Sequence, residues 1–527
     1  MQQRNALSLI GLLSAVVATV VLYTGQVFAF DSVPGEYLVK YKSNPTISML
    51  SVRATASVRV MDNNPAGNLL KIRVNPVNEA QTLARLMSNP NVEYVTPNLR
   101  MHAYEAPISA QTLQDQWAIK KVSAEAAWAK AGNRGSHKVL LAVIDTGVDY
   151  NHKNLKENMV AGYNFIENNN DPMDKVGQNP GHGTHCSGII GATGVVEGGT
   201  VGISPEVSIM PIRFLDENGS GDLNNGIKAI DYAIANHVQI ISASWGATVA
   251  RATAQPLIDA VKRADDAGII FVMAAANDGK DNDSTEVFPA NSGFPNTITV
   301  AASGPNDEKP NWSNYGKRTV HLAAPGLTIM STLPGDKYGN LSGTSMATPL
   351  VAGMVAFLKA QDSTLTGKQV RALLQLTAPK VQIETACNCR VDALAAVDTL
   401  ISHKMFISPA AGTIAPSETL QFEGTHGKAP FTFEVSNASV GTITPAGLFT
   451  AAGKGETTVT VKDADGQTST SLAIAVADKD SGGGGGGGTP PGGDPGSPGT
   501  PGDCPIGDKS MCDIICQVQP DLPFCKK

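Results

Sequence analysis

Three short motifs carry residues whose types suit nucleophilic chemistry. Asp145 stands in AVIDTGVD, His182 in the glycine-rich GHGTHCSG and Ser345 in SGTSMATP. A serine hydroxyl is a weak nucleophile until an imidazole removes its proton, and the imidazole needs a carboxylate to fix its tautomer and stabilise its cationic form. Small residues around His182 and Ser345 let a substrate backbone come close, and a serine opening a helix gains from the free amides and the dipole there. Singly, each residue has another reading. Asp145 suits a strand-end turn and Ser345 a helix N-cap. His182 with His185 suggests metal ligands, although this pair lacks the helix and carboxylates of the usual zinc motifs.

The elements that must position these groups read as buried strands separated by amphipathic helices. Residues 139–144 (VLLAVI), 240–243 and 269–275 (IIFVMAA) are short apolar runs. Between them Leu223, Ile227, Ile230 and Ile234 recur at helical spacing, as do Leu257, Val261 and Ala264 before Gly268. This alternation predicts an α/β fold with a parallel sheet covered by helices and ligands near the carboxyl ends of strands. Asp145 ends one such strand, and Ser345 precedes the apolar stretch 350–358.

Together the motifs resemble the subtilisin-like serine proteases, the subtilase family, whose triad runs Asp, His, Ser along the chain. The resemblance implies a secreted serine endopeptidase that hydrolyses protein or peptide substrates through an acyl-enzyme, with Asp145, His182 and Ser345 as the triad. It also implies that Asn277, in Ala274-Ala275-Ala276-Asn277, donates to the oxyanion alongside the Ser345 amide. The family usually has Gly where this chain has Ala276, whose methyl would line the primary specificity pocket. Ser244-Trp245-Gly246 resembles the family strand that pairs with substrate, normally Ser-Leu-Gly, and Gly219-Ser220-Gly221 resembles the facing strand. Substrate would enter between them as an added β-strand, with Trp245 either walling a pocket or packing in the core. Phe288-Pro289 resembles a turn that often holds a cis proline. No cofactor is required for this chemistry. A structural calcium is left open with no site assigned, since Asn154 stands where relatives often have a carboxylate and loop 191–199 has one acid, Glu197. The rival reading is an inactive protease fold serving as a surface-binding protein.

The rest of the 527-residue chain reads as accessory. Residues 1–29 have the charge pattern, apolar run and small-residue end of a secretory signal peptide. Residues 30–104 read βαββαβ, a ferredoxin-like unit, with strands at 35–42, 58–60, 69–74 and 92–95 and helices at 47–53 and 79–87. The resemblance makes this unit a propeptide that folds and inhibits the enzyme intramolecularly, is cut near Tyr104, and releases a peptidase domain of residues 105–402. Residues 403–478 show short strands at 404–407, 419–423, 431–435, 448–450, 457–462 and 471–476, a β-sandwich that resembles bacterial immunoglobulin-like repeats. A Gly/Pro-rich linker, 479–503, leads to a Cys-rich tail, 504–527, whose Cys504, Cys512, Cys516 and Cys525 favour two disulfides over zinc because no His is near. Cys186 reads as a buried small hydrophobe. Cys387 and Cys389 are left open among distant pairing, free thiols and a mutual bridge. A net charge of −7 without a basic block gives no footprint for nucleic acid or an anionic membrane. No membrane span is expected in the mature form, and a monomer is expected.

Overall fold

The computed structural model describes residues 31–42, 58–104 and 116–478. The expected signal peptide, the helix at 47–53, the linker and the Cys-rich tail lie outside the described residues. In the N-terminal unit, β1 (Ser32–Tyr41) lies between β3 (Leu69–Val74) and β4 (Val92–Ala103), both antiparallel to it, with β2 (Val58–Asn64) at the edge. Alternation along β1 gives the sheet two buried faces. Tyr37, Val39 and Tyr41 pack under α1 (Glu79–Met87) with Leu83 and Leu86. Leu38 points the other way, joining Leu69 and Leu99 in a core shared with the next domain. Each leucine so buried contributes about 1.5–3 kcal/mol, so this face is unsuited to standing in water.

Strand β4 is longer than the four residues expected at 92–95. It leaves its own sheet after Leu99, and its tail finds new partners: β8 (Ser220–Asp222) on one side and β10 (Trp245–Thr248) on the other. The alternation that marks a strand end in sequence cannot register a partner supplied by a distant domain. Polar contacts tie the two units further, among them Lys40 with Asp259 at 3.3 Å, Asp62 with Lys228 at 2.9 Å and Asn64 Nδ2 with Asp231 at 2.7 Å.

The large domain is built on a seven-stranded parallel sheet. Its order is β14 (Leu322–Pro325), β13 (Thr297–Ser303), β11 (Ile270–Ala274), β9 (Ile240–Ala243), β5 (Leu140–Asp145), β7 (Ser208–Arg213), β6 (Tyr163–Asn164). From β5 the chain goes out to the edge at β6, comes back in to β7 beside β5 and then crosses to β9 on the other side of β5, so the crevice at the carboxyl ends of β5 and β9 is where such sheets hold ligands. Helices α5 (Leu223–Ala235) and α6 (Arg251–Asp266) cover one face with Ile227, Ile230, Leu257 and Val261. On the other face α7 (Thr344–Gln361) is buried from Thr344 to Leu358, because its apolar residues surround it. Among the described residues, no helix is long and apolar enough to cross a membrane.

From Phe406 to Val476 the chain forms eleven short strands around Ile407, Phe422, Phe449, Val459, Val461 and Ile474. Three of them, Gly412–Ile414, Gly441–Ile443 and Thr468–Thr470, were not expected, since three residues are too few to show alternation.

Candidate active site

The apolar run of β5 ends at Asp145, which is buried at the carboxyl edge of the sheet. Helix α4 (His182–Gly191) starts opposite it, and His182 Nδ1 lies 2.7 Å from Asp145 Oδ1. Burial by itself would pull the imidazole pKa down, but the Asp145 carboxylate outweighs it and holds the pKa well above the ordinary value. His182 Nε2 is buried with no partner among the described residues. One turn along, His185 Nε2 bonds Gly339 O at 3.0 Å, and burial drops its pKa to about 3, leaving it neutral and structural. The cluster Asp145, His182 and Cys186 has ligand atoms within 4.8 Å of one another. Burial raises the Cys186 thiol pKa, so the sulfur stays protonated and is a poor metal ligand.

Ser345 occupies the first turn of α7. Its Oγ contacts Ser244 O at 3.1 Å and also the carbonyl oxygen of Tyr104, so the hydroxyl is turned from His182 toward the end of β4. Asn277 follows β11, and its Oδ1 accepts from Thr344 N and Thr344 Oγ1, both at 2.9 Å. That fixes the amide so that Nδ2 points free into a buried space. Gly343 borders the same space, and a Cβ on it would fall 2.8 Å from Tyr104 O, 3.2 Å from Asn277 Nδ2 and 3.4 Å from Ser345 N. Two donors and one carbonyl oxygen therefore converge where only glycine leaves room. Ala276, next to Asn277, takes a left-handed φ of 87° and packs with Val287, Ala290 and Tyr104.

Residues 100–104 fill the groove between the two strands singled out by sequence. Arg100, Met101 and His102 pair with Asp222, Gly221 and Ser220, while His102 and Ala103 pair with Gly246 and Trp245. Ala103 N donates to Gly219 O at 2.9 Å and Tyr104 N to Ser244 O at 3.2 Å. A Cβ on Gly246 would sit 2.5 Å from Tyr104 Oη, so a glycine is needed there too. Trp245 is fully buried, with its indole edge-on to Phe214 and its Nε1 donating to Ile144 O at 2.7 Å. Its side chain is core, and only its backbone faces the groove. The Phe288–Pro289 peptide is cis, and Cys387 and Cys389 form a disulfide with each other.

Asn154, which stands where relatives often have a carboxylate, has no free oxygen to offer calcium. Asn154 spends both ends of its amide on closing the 191–199 loop, Nδ2 donating to Thr200 O at 2.5 Å and Oδ1 accepting from Thr193 Oγ1 at 2.7 Å and Gly194 N at 3.0 Å. Glu197 is exposed. Hard cations need several free oxygens, and the Asn154 oxygen is taken.

Sequence reasoning missed Thr344, which aims Asn277, and Asp174, Thr146 and Thr184, which lie behind the Asp145–His182 pair. All three threonines belong to the quoted motifs, each within two residues of Asp145, His182 or Ser345, a signal available but unread.

Comparison with known proteins agrees with this geometry. A sequence model of the subtilase family matches residues 136–400, and one of the bacterial Ig-like domain (group 2) matches residues 403–474. A thermophilic serine proteinase of Bacillus sp. (strain AK1) is 35% identical over 352 residues, 66% of this chain and 83% of that protein. Thermitase of Thermoactinomyces vulgaris is 38% identical over 266 residues, 50% of this chain and 89% of thermitase. The major intracellular serine protease of Bacillus subtilis (strain 168) is 36% identical over 272 residues, 51% of this chain and 80% of that enzyme. The chain therefore belongs to the subtilase family and is a subtilisin-like serine endopeptidase with a bacterial Ig-like domain attached.

Proposed function

We propose that this endopeptidase is made as a secreted proenzyme that cuts itself after Tyr104 and then hydrolyses other proteins with Asp145, His182 and Ser345. The observation that carries the reading is the Tyr104 carbonyl, which touches Ser345 Oγ where Asn277 Nδ2 and Ser345 N converge. In the first step His182 Nε2 takes the Ser345 proton as Oγ bonds to the Tyr104 carbonyl carbon. The carbonyl electron pair moves to oxygen, where Asn277 Nδ2 and Ser345 N stabilise it. His182, held as imidazolium by Asp145, passes the proton to the leaving nitrogen of Glu105 as the peptide bond breaks. Water, deprotonated by the same imidazole, then frees the Tyr104 carboxyl and restores Ser345. Asp145 stays ionised throughout.

Residues 31–104 would remain as an inhibitor after the cut, since their tail occupies the substrate strand and Leu38, Leu69 and Leu99 share the core of the large domain. Other substrates would enter as the same antiparallel strand between Gly219-Ser220-Gly221 and Ser244-Trp245-Gly246. The 1–29 leader supports secretion, as does the Cys387–Cys389 disulfide, a bond of oxidising compartments.

Wild type and Ser345→Ala, expressed full length, test the reading. Wild type should mature to a species starting at Glu105 and digest casein, while Ser345→Ala should keep its leader and digest nothing. Equal maturation of both, or casein cleavage by Ser345→Ala, would overturn it.

A further inference from the structure

Behind the Asp145–His182 pair lies a second buried carboxylate, Asp174, which the reaction does not consume. Its Oδ2 accepts from Thr184 N at 3.0 Å and Thr184 Oγ1 at 2.6 Å, two groups in the first turn of α4. The same Thr184 hydroxyl accepts from Asp149 N at 2.9 Å, and the Thr146 hydroxyl accepts from Gly183 N at 2.9 Å. These bonds fasten the helix bearing His182 to the turn that follows Asp145. The 172–174 segment is itself pinned to that turn, because Val148 N donates to Pro172 O at 2.9 Å. Gly147, at φ 102°, leaves room that a Cβ would close to 2.4 Å from Pro172 O. Asp174 Oδ1 is buried with no partner at hydrogen-bonding distance. An ion kept in so costly a setting is engaged mainly through the oxygen that holds the helix bearing His182.

We propose that Asp174 is a positioning residue for this peptidase, its carboxylate clamping Thr184 so that the His182 imidazole is held in register with Asp145. The proposal rests on the reading of those two residues as catalytic. Thr184 is both donor to Asp174 and acceptor for Asp149, so loss of the carboxylate frees its hydroxyl to rotate and loosens both bonds. Asp174 does not touch substrate. The ionisable groups around it are Asp145 and Asp149 on the turn, His182 and His185 on α4, and Arg213 on β7, whose Nη1 reaches Met173 O at 3.3 Å. Burial raises the Asp174 pKa to about 6, with Asp145 adding to the rise and hydrogen bonds from Thr184 and Thr146 opposing it. The clamp therefore weakens by protonation as pH falls through about 6.

The test compares mature wild type, Asp174→Asn, Asp174→Leu, Thr184→Ser and Thr184→Val, each normalised by active-site titration with a serine-directed acylating reagent. Asp174→Leu and Thr184→Val should lower kcat by about tenfold to a hundredfold, the cost of a slightly misplaced group, with KM within about twofold. Asp174→Asn should fall between them and wild type, and Thr184→Ser, which keeps the hydroxyl, should match wild type. The acid limb of kcat should show a second inflection near pH 6 in wild type that is missing in Asp174→Asn, and the low-field resonance of the His182–Asp145 proton should broaden or shift in Thr184→Val. Unchanged kcat, limb and resonance in Thr184→Val and Asp174→Asn would overturn the clamp. So would losses confined to the titratable fraction or to Tm. Activity in Ser345→Ala would instead overturn the catalytic reading, so the two failures are distinguishable.

Discussion

Pro349 leaves the carbonyl of Ser345 without its helical partner, since a proline four residues on has no N–H to donate. The vacancy is filled from outside the helix, by Ser244 Oγ at 2.9 Å and the Cys186 thiol at 3.5 Å. The Ser345 backbone is thus fastened to the Ser244-Trp245-Gly246 segment and to the helix that bears His182. This gives Cys186 a role beyond filling space.

Ser244→Ala removes the stronger of the two donors. A buried neutral hydrogen bond is worth about 1 kcal/mol, so kcat should fall about fivefold if the loss is felt in the transition state. Steady-state kinetics on a peptide anilide will check this, and an unchanged kcat would show that the Cys186 contact alone is enough.

Asn277 is aimed by Thr344, which takes both lone-pair directions of its Oδ1. Asn277→Leu should lower kcat by about 10²- to 10³-fold with little change in KM, because the donor acts on an oxyanion absent from the ground state. Thr344→Val should give a smaller loss of the same kind by freeing the amide to rotate. A KM effect in place of a kcat effect would mean that Asn277 binds substrate.

The pocket that holds Tyr104 is lined mainly by small apolar side chains. Ala276, Val287 and Ala290 surround the ring, and the phenol oxygen is buried with no partner among the described residues. Burial, with Asp278 nearby, pushes the phenol pKa up, so the group stays neutral. An unsatisfied buried hydroxyl costs about 1–3 kcal/mol. Matched tetrapeptide anilides should therefore show kcat/KM about tenfold higher for Phe than for Tyr at the cleaved position. Equal rates would mean that a polar group or water reaches the pocket floor.

The legible parts of this molecule were those with a local signal. The runs at 139–144 and 269–275 announce buried parallel strands, with Asp145 at the carboxyl end of the first and Asn277 just past the second, while His182 and Ser345 open the helices α4 and α7. What escaped was non-local. The extension of β4 to Ala103 depends on β8 and β10, more than a hundred residues away in sequence. Trp245 looked equally suited to pocket or core until Phe214 and Ile144 O appeared beside it. Asp174 sits in DPMDK, a polar stretch like any surface loop, and only the fold carries it under α4. Cys387 and Cys389 bridge each other although their spacing gave no preference for it.

Asp174 also sets a pH dependence of stability whose sign can be worked out. Its pKa rises from 3.8 in the unfolded chain to about 6 in the folded protein, because burial disfavours the anion. Between those values the folded state holds more protons than the unfolded one, so stability falls as pH rises from about 4 to about 6 and then levels off. At 1.36 kcal/mol per unit, the ionised group costs about 3 kcal/mol at neutral pH. Asp174→Asn cannot ionise. Its stability relative to wild type should therefore improve with rising pH across that window, even as its kcat falls. Urea unfolding of inhibited enzyme at pH 4 and pH 7 will measure the difference. A gap between the two proteins that stays constant with pH would mean that Asp174 keeps an ordinary pKa, and that the clamp does not release by protonation.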